Sequence, residues 1–296
     1  MKCPALATIF SAILYGQAAP APIQNTGKPM TIEARCTAEM IHDLGLNCSL
    51  DQPCPIHLEL SDIEAVGDRL IVSGNLHTGR TTLESVLLVS DDAGKTWVEA
   101  HARLPMTVLD RIQFHDFEIG WINGHVLQTI PKDAFFLITS DGGKTWRKRP
   151  IFGESRPGAI QVFWFDSRTH GLLLMEGGAS EDGIKYELWE SMTSGDSWNI
   201  RQADAKPIPL SRPPSTKAWR IQADAKTQSH RIERQTGSKW EVVASFRVTP
   251  GECKPPPPPP EPDPPKETVA PEPDDPSPPK TPGSKKPPTL KPKRSR

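Results

Sequence analysis

An eight-residue pattern recurs along the chain at nearly constant spacing, and it restricts the possible folds more than any other feature. Its clear copies are residues 90–97 (SDDAGKTW) and 139–146 (TSDGGKTW). A weaker copy spans 191–198 (SMTSGDSW) and a decayed one spans 233–240 (ERQTGSKW). The final tryptophans are 49, 52 and 42 residues apart. This period is typical of propeller blades, each made of four strands.

Each copy follows an apolar alternating run and precedes a further run, so it predicts a hairpin turn. Asp92 and Asp141 can accept hydrogen bonds from backbone N–H groups of the turn, and Gly94 and Gly143 can adopt the positive φ that the turn requires. The tryptophan that follows is expected to bury its ring against neighbouring strands, which contributes about 3 kcal/mol. The repeat therefore predicts tandem antiparallel sheets.

With serine or threonine in first place, the pattern S-x-D-x-G-x-T-W is similar to the Asp-box, or BNR repeat. Residues 58–248 resemble the Asp-box β-propellers, which include sialidases, some glycanases, sortilin-type receptors and, most similar here, photosystem II assembly factor-like proteins. The resemblance implies an all-β fold, a small β-propeller of about four four-stranded antiparallel blades, in which the boxes are structural and lie away from the ligand face. Thr193 and Gln235 replace the aspartate and predict a weaker turn. The implied structural positions are Ser90, Asp92, Gly94, Thr96, Trp97, Thr139, Asp141, Gly143, Thr145, Trp146, Ser191, Gly195, Trp198, Gly237 and Trp240.

Counting back from each copy gives the expected strands. The fourth blade is short of one, because four prolines between 207 and 214 interrupt the place of its innermost strand. Residues 31–36 donate a strand to close the ring, or the ring stays incomplete. A small closed propeller, an open arc and closure by self-association remain alternatives. The expected strands are 58–67, 68–75, 83–90 and 96–103; 111–118, 119–127, 135–140 and 145–151; 159–167, 170–176, 184–191 and 197–203; then 218–223, 229–235 and 239–248.

The two ends of the chain differ from the middle. Lys2 and the apolar run 5–15 that follows it predict a signal peptide over 1–18. The run is too short to span a bilayer, so export is favoured over anchoring in a membrane. Eighteen of the 33 prolines lie in 255–296. The charged residues of this stretch are mainly acidic in its first half and basic in its second half. Such a stretch cannot form a packed core, because it has too little apolar surface to bury. The predicted organisation is a signal peptide at 1–18, a cysteine-containing segment at 19–57, the propeller at 58–253 and a disordered proline-rich tail at 254–296. The protein is therefore expected to be exported, to the periplasm or beyond the cell.

Removal of the signal peptide leaves four cysteines, Cys36, Cys48, Cys54 and Cys253. An even number in an exported chain predicts two disulfides, for which three connectivities exist. We favour Cys48 with Cys54 and Cys36 with Cys253. A zinc site is disfavoured because His57 is the only histidine near these cysteines in sequence.

The loops opposite the repeat turns form the candidate binding face, because loops on a rigid scaffold usually carry function. Its residues are His77, Arg80, Lys132, Asp133, Arg147, Arg149, Arg156, Glu181 and Asp182. The net charge of −1 gives no basic field, so nucleic acid is not an expected partner.

No catalytic residue, cofactor or metal is predicted. A sialidase is disfavoured because only Tyr186 could serve as the tyrosine nucleophile of that class, and the alternation around it is typical of a packing residue. We expect a non-enzymatic scaffold that binds an envelope or secreted protein, with self-association a further option. The tail could contact an anionic cell-wall or membrane surface. The alternative is a carbohydrate-binding protein or glycoside hydrolase of sialidase-like fold.

Overall fold

The structure, a computed structural model, describes residues 21–79, 81–177, 183, 185–210, 218–249 and 252–255. The predicted signal peptide and all but the first two residues of the predicted tail lie outside them. No helix among the described residues has the length and apolar character needed to cross a membrane. The elements are β1 (Ile23–Gln24), β2 (Met30–Glu33), α1 (Ala38–Asp43), β3 (Cys54–Val66), β4 (Arg69–Thr78), β5 (Thr81–Ser90), β6 (Thr96–Glu99), β7 (Thr107–Phe114), β8 (Gly120–Leu127), β9 (Pro131–Thr139), β10 (Arg147–Pro150), β11 (Ala159–Phe165), β12 (Gly171–Glu176), β13 (Tyr186–Ser191), β14 (Asn199–Asp204), β15 (Trp219–Asp224), β16 (Ser229–Thr236), β17 (Lys239–Thr249) and β18 (Glu252–Cys253).

The strands form four sheets, as the repeat predicted. Sheet 1 has the order β1-β6-β5-β4-β3-β18, sheet 2 β10-β9-β8-β7, sheet 3 β11-β12-β13-β14 and sheet 4 β15-β16-β17-β2. Consecutive strands of each sheet are antiparallel neighbours, which is the blade pattern of a propeller. The prediction of an all-β, β-propeller-like fold is confirmed.

The N-terminal segment contributes a strand to two sheets. β1 pairs with β6, where Ile23 lies opposite Trp97. β2 pairs in parallel with β17, where Ile32 lies opposite Val248. The structure shows the strand donation that one of the two alternatives gives to residues 31–36, while closure of the ring stays a prediction. β2 joins sheet 4 beyond β17, because its alternate residues Met30 and Ile32 are buried in the core between sheets 4 and 1.

The sheets pack face to face in the order 4, 1, 2, 3, and a separate hydrophobic cluster fills each contact. Trp97 of sheet 1 meets Phe246 of sheet 4 edge to face at 5.1 Å between ring centroids, and Phe136 of sheet 2 meets Phe163 of sheet 3 at 5.0 Å. Among the described residues no hydrophobic cluster joins sheet 3 to sheet 4. The described hydrophobic contacts therefore run from sheet 4 through sheets 1 and 2 to sheet 3.

Two disulfides connect the segment before β3 to the rest of the fold. Cys48 is bonded to Cys54, and Cys36 is bonded to Cys253 across 217 residues of sequence. Cys253 is fully buried beside β3, where β18 pairs with Cys54 and Pro55. The second bond thus joins the segment between β2 and α1 to the last described strand, β18.

The three clearer repeat turns lie at one end of sheets 1 to 3, which we call the turn end. Each turn donates a backbone N–H to the loop between the first two strands of its own sheet. These bonds are Ala93 to Asp68 (3.0 Å), Gly142 to Glu118 (2.8 Å) and Ser194 to Thr169 (2.9 Å). The loops between the second and third strands, such as that between β8 and β9, lie at the opposite end.

Candidate binding seam between sheets 2 and 3

A carboxylate holds each of the first two repeat turns together. Asp92 Oδ1 accepts hydrogen bonds from the backbone N–H of Lys95 (3.0 Å) and Thr96 (2.8 Å), and Oδ2 accepts the Thr96 hydroxyl (2.7 Å). Asp141 makes the same three bonds in the second turn. The Thr96 N–H is the largest influence that lowers the pKa of Asp92 to about 2. Burial raises the pKa of Asp141, but the hydrogen bonds of its turn outweigh it and lower that pKa to about 2.

A glycine and a tryptophan complete each turn. The glycines have φ values of 92°, 82° and 88° at Gly94, Gly143 and Gly195, a conformation that favours glycine. The indole Nε1 of Trp97, Trp146 and Trp198 donates to the carbonyl oxygen of these glycines, in each case at 3.1 Å. These groups are engaged within the turns and position the strand that follows.

The third turn differs from the first two and contacts the neighbouring sheet. Thr193 replaces the aspartate, and its Oγ1 accepts the backbone N–H of Ser197 at 2.9 Å. Asp196 stands where the first two copies have lysine. Asp196 Oδ1 lies 3.1 Å from Arg147 Nη2 and 2.9 Å from Arg149 Nε. The third turn therefore holds two arginines of sheet 2 against sheet 3.

Strand alternation places these two arginines on one side of β10. Their side chains are 55% and 40% exposed at Arg147 and Arg149. Lys148 points the other way, and its Nζ lies 4.2 Å from the centre of the Phe135 ring. Burial there lowers the pKa of Lys148. The guanidinium groups thus remain accessible to solvent beside the third turn.

A cation packed on aromatic rings continues the same boundary. Arg156 forms an ion pair with Glu187 of β13, and its guanidinium carbon lies 4.6 Å from the centre of the Phe152 ring and 6.0 Å from that of Trp189. The two rings meet edge to face at 5.2 Å, and Trp189 Nε1 donates to Glu187 Oε2 at 3.1 Å. The Arg156 side chain is 38% exposed. This arrangement presents a fixed cation and aromatic surface to solvent.

We call Arg147, Arg149, Phe152, Arg156 and Trp189 the arginine seam. Arg156 is balanced by Glu187, whereas Arg147 and Arg149 share the single carboxylate of Asp196. The seam therefore carries a surplus positive charge. Guanidinium groups bind carboxylates and phosphates through a planar set of donors, so the seam suits an anionic partner.

Part of the predicted binding face is assembled at the end opposite the turns. Lys132 and Asp133 lie at the start of β9, and Asp133 Oδ1 accepts the backbone N–H of Arg156 at 2.9 Å. His77 lies near the end of β4 in sheet 1, with its Nε2 2.9 Å from Glu59 Oε2. The structure brings Asp133 and Arg156 into contact, and His77 lies on a different sheet.

The remaining predicted residues divide into two groups. Arg147 and Arg149 were expected at the end opposite the turns, but they lie on β10 against the third turn. The reason is that β10 begins directly after Trp146, so its first residues stay near the turn end. Arg80, Glu181 and Asp182 lie outside the described residues.

A depression lies at the turn end between sheets 1 and 2. It has a volume of about 690 Å³ and is lined by Val66, Arg69, Asp91, Phe117, Glu118, Ser140, Asp141, Gly142 and Lys144. Arg69 donates to Asp91 Oδ1 and to the carbonyl oxygen of Gly142, both at 2.5 Å. The hydrogen bond from Arg69 is the main cause that lowers the pKa of Asp91. Arg69 thus links the first and second turns, and its guanidinium group has a structural role there.

Sequence reasoning missed Asp196, Phe152, Glu187 and Trp189 as members of this region. Asp196 had a usable signal, because an acidic residue replaces the lysine of the clearer copies. The aromatic pair had no such sequence signal, since Phe152 and Trp189 meet only when sheets 2 and 3 pack.

In the described part of the chain, no group of three or more His, Cys, Asp or Glu side chains is placed to hold a metal ion.

Comparison with solved structures gives a distant similarity to a crystal structure of the GH74 xyloglucanase from Xanthomonas campestris. The sequences are 15% identical, the alignment covers 62% of this chain and 29% of the enzyme, and the TM-score is 0.30. The chain thus spans less than a third of the enzyme's length. No protein-family model and no curated protein sequence matches the chain.

Proposed function

We propose that the protein is an exported, non-enzymatic scaffold that binds another protein of the cell envelope or surroundings through the arginine seam. Two disulfides support export, because such bonds persist in oxidising compartments outside the cytosol. The apolar segment that follows Lys2 supports it independently.

The composition of the seam carries the proposal. It combines three partly exposed arginines with two aromatic side chains, and these residue types are enriched where protein interfaces gain most of their binding energy. Arg147, Arg149 and Trp189 stand on strands of packed sheets, so little backbone conformational entropy is lost when a partner binds. Arg147 and Arg149 share one carboxylate, which leaves binding capacity for a partner's anionic group.

Site-specific photocrosslinking tests the proposal. The variant Phe152→p-benzoylphenylalanine is made in the producing cell and irradiated, and Val242→p-benzoylphenylalanine serves as a matched control because Val242 is 55% exposed on sheet 4. We expect one discrete protein adduct from position 152 and none from position 242. The double substitution Arg147→Ala and Arg149→Ala should reduce that adduct about tenfold, as loss of interface arginines does.

Two results would contradict the proposal. One is an equal set of adducts from both positions, and the other is an adduct that the arginine substitutions leave unchanged. A glycan array on the purified protein is run in parallel. Saturable binding to one glycan that Trp189→Ala abolishes would favour carbohydrate binding instead.

A further inference from the structure

The outer edges of the four sheets are protected to different degrees. β1 covers part of the outer edge of β6, and β2 covers that of β17. Sheet 2 ends in β10, which is four residues long, basic and closed by Pro150, features that discourage strand addition. Sheet 3 ends in β14, whose six residues are all exposed and include neither lysine nor proline, and its pairing with β13 has a bulge between Leu188 and Trp189. Among the described residues, β14 is the longest outer strand, and no described strand pairs with its free edge.

The backbone of β14 presents hydrogen-bonding groups to this open edge. The carbonyl oxygen of Asp204 accepts the Lys185 N–H at 3.1 Å, so the backbone groups of Asp204 point toward β13. Successive residues of a strand alternate, and the N–H and C=O of Ala203 therefore point away from the sheet. Such groups are a template for an added strand.

We propose that β14 accepts an extended acidic segment of the partner protein as a fifth strand of sheet 3. This inference rests on the proposed function and adds the chemistry of the partner. Ile200 lies opposite Trp189 in the sheet register and so faces the seam side, where it is 51% exposed. Every second residue of the added strand faces the same side. Acidic side chains there would pair with Arg147 and Arg149, and apolar contact with Ile200 would fix the register.

The chain itself shows that extended segments bind at such edges. β1 and β2 are short segments, remote in sequence from the strands they pair with, and each adds to an outer strand. A second copy of this chain fits β14 less well than an acidic segment does. Its β14 carries one arginine and one aspartate, and Arg201 is already paired with Glu190 at 2.8 Å, so a second copy adds no net negative charge opposite Arg147 and Arg149.

Binding of defined peptides tests the inference. The probe is a fluorescein-labelled peptide, Thr-Glu-Val-Glu-Val-Glu-Thr, and the control peptide carries lysine in place of each glutamate. Fluorescence anisotropy should show at least about tenfold tighter binding of the acidic peptide. Ala203→Pro removes the outward N–H and should weaken binding about tenfold or more. Ala203→Val keeps the N–H and should bind as the parent does, and equal urea midpoints confirm that both variants fold.

The outcomes separate the strand-addition inference from the proposed function. Equal binding of the two peptides, or full binding by Ala203→Pro, overturns the inference. If Ala203→Pro also keeps the photocrosslinked adduct at position 152, the seam still binds a protein but not by strand addition. If the parent gives no adduct there, the proposed function fails. A dimer in sedimentation that Ala203→Pro dissociates would assign the edge to a second copy and overturn the acidic partner.

Discussion

At the scale of single residues, the side chain at the third position of each repeat determines how its turn is held. Asp92 and Asp141 each accept four hydrogen bonds within their turns, one of them from the hydroxyl of Ser90 or Thr139. Thr193 offers one hydroxyl in their place, 2.9 Å from the Ser197 N–H. The first two turns therefore depend on a charge, and the third does not.

This difference predicts a pH dependence. The folded pKa of Asp92 and Asp141, about 2, lies below the ordinary value near 3.9. Their contribution to the free energy of unfolding is thus complete above about pH 4 and is lost as the pH falls toward about 2. Urea unfolding of Asp92→Asn should lose less stability over this range than the parent. An identical loss in both proteins would contradict the assigned charge.

The third turn should gain stability from a restored carboxylate. Thr193→Asp places a charged acceptor near the Ser197 N–H and should raise the free energy of unfolding by about 1 kcal/mol. Gln235→Asp is the control, because Thr236 pairs with Lys239 there in a tight two-residue hairpin of different geometry. We expect no gain from the control. Equal urea midpoints for the two variants would show that the carboxylate is not what stabilises these turns.

At the scale of elements, the short strand β2 completes sheet 4. Ile32 is 1% exposed and packs in the cluster between sheets 4 and 1, whereas Thr31 is exposed. Ile32→Ala should cost about 2–5 kcal/mol in urea unfolding, because it leaves a cavity in a packed core. Thr31→Ala should change stability by less than about 0.5 kcal/mol. Similar small effects from both would mean that β2 does not belong to the sheet.

The two disulfides should contribute unequally. Cys36–Cys253 closes 217 residues and Cys48–Cys54 only 6, so loop-closure entropy gives about 5 and about 2 kcal/mol. Two variants, each with both cysteines of one disulfide replaced by serine, are compared by urea unfolding under non-reducing conditions. The loss in free energy of unfolding should be larger for the variant without Cys36–Cys253. A larger loss at Cys48–Cys54 would contradict an entropic origin.

At the scale of the whole molecule, the sequence predicted the local pattern better than the contacts between sheets. Strands such as β9 and β16 follow from alternation beside a recognisable turn. For β2 the sequence allows two alternatives, because the four residues from Met30 to Glu33 carry too little pattern to indicate a partner strand. The seam required Arg147 to meet Asp196, 49 residues away. Such contacts depend on how sheets pack, which local periodicity does not encode.

We propose that a protein partner binds beside the third repeat turn, along the boundary of sheets 2 and 3. Amide hydrogen exchange measured with and without a saturating amount of the acidic peptide tests it most directly. We expect slower exchange in β14 and in residues 147–156, and unchanged exchange in β1 and β2. Unchanged exchange in β14, or protection confined to His77 and Lys132 at the opposite end, would contradict it.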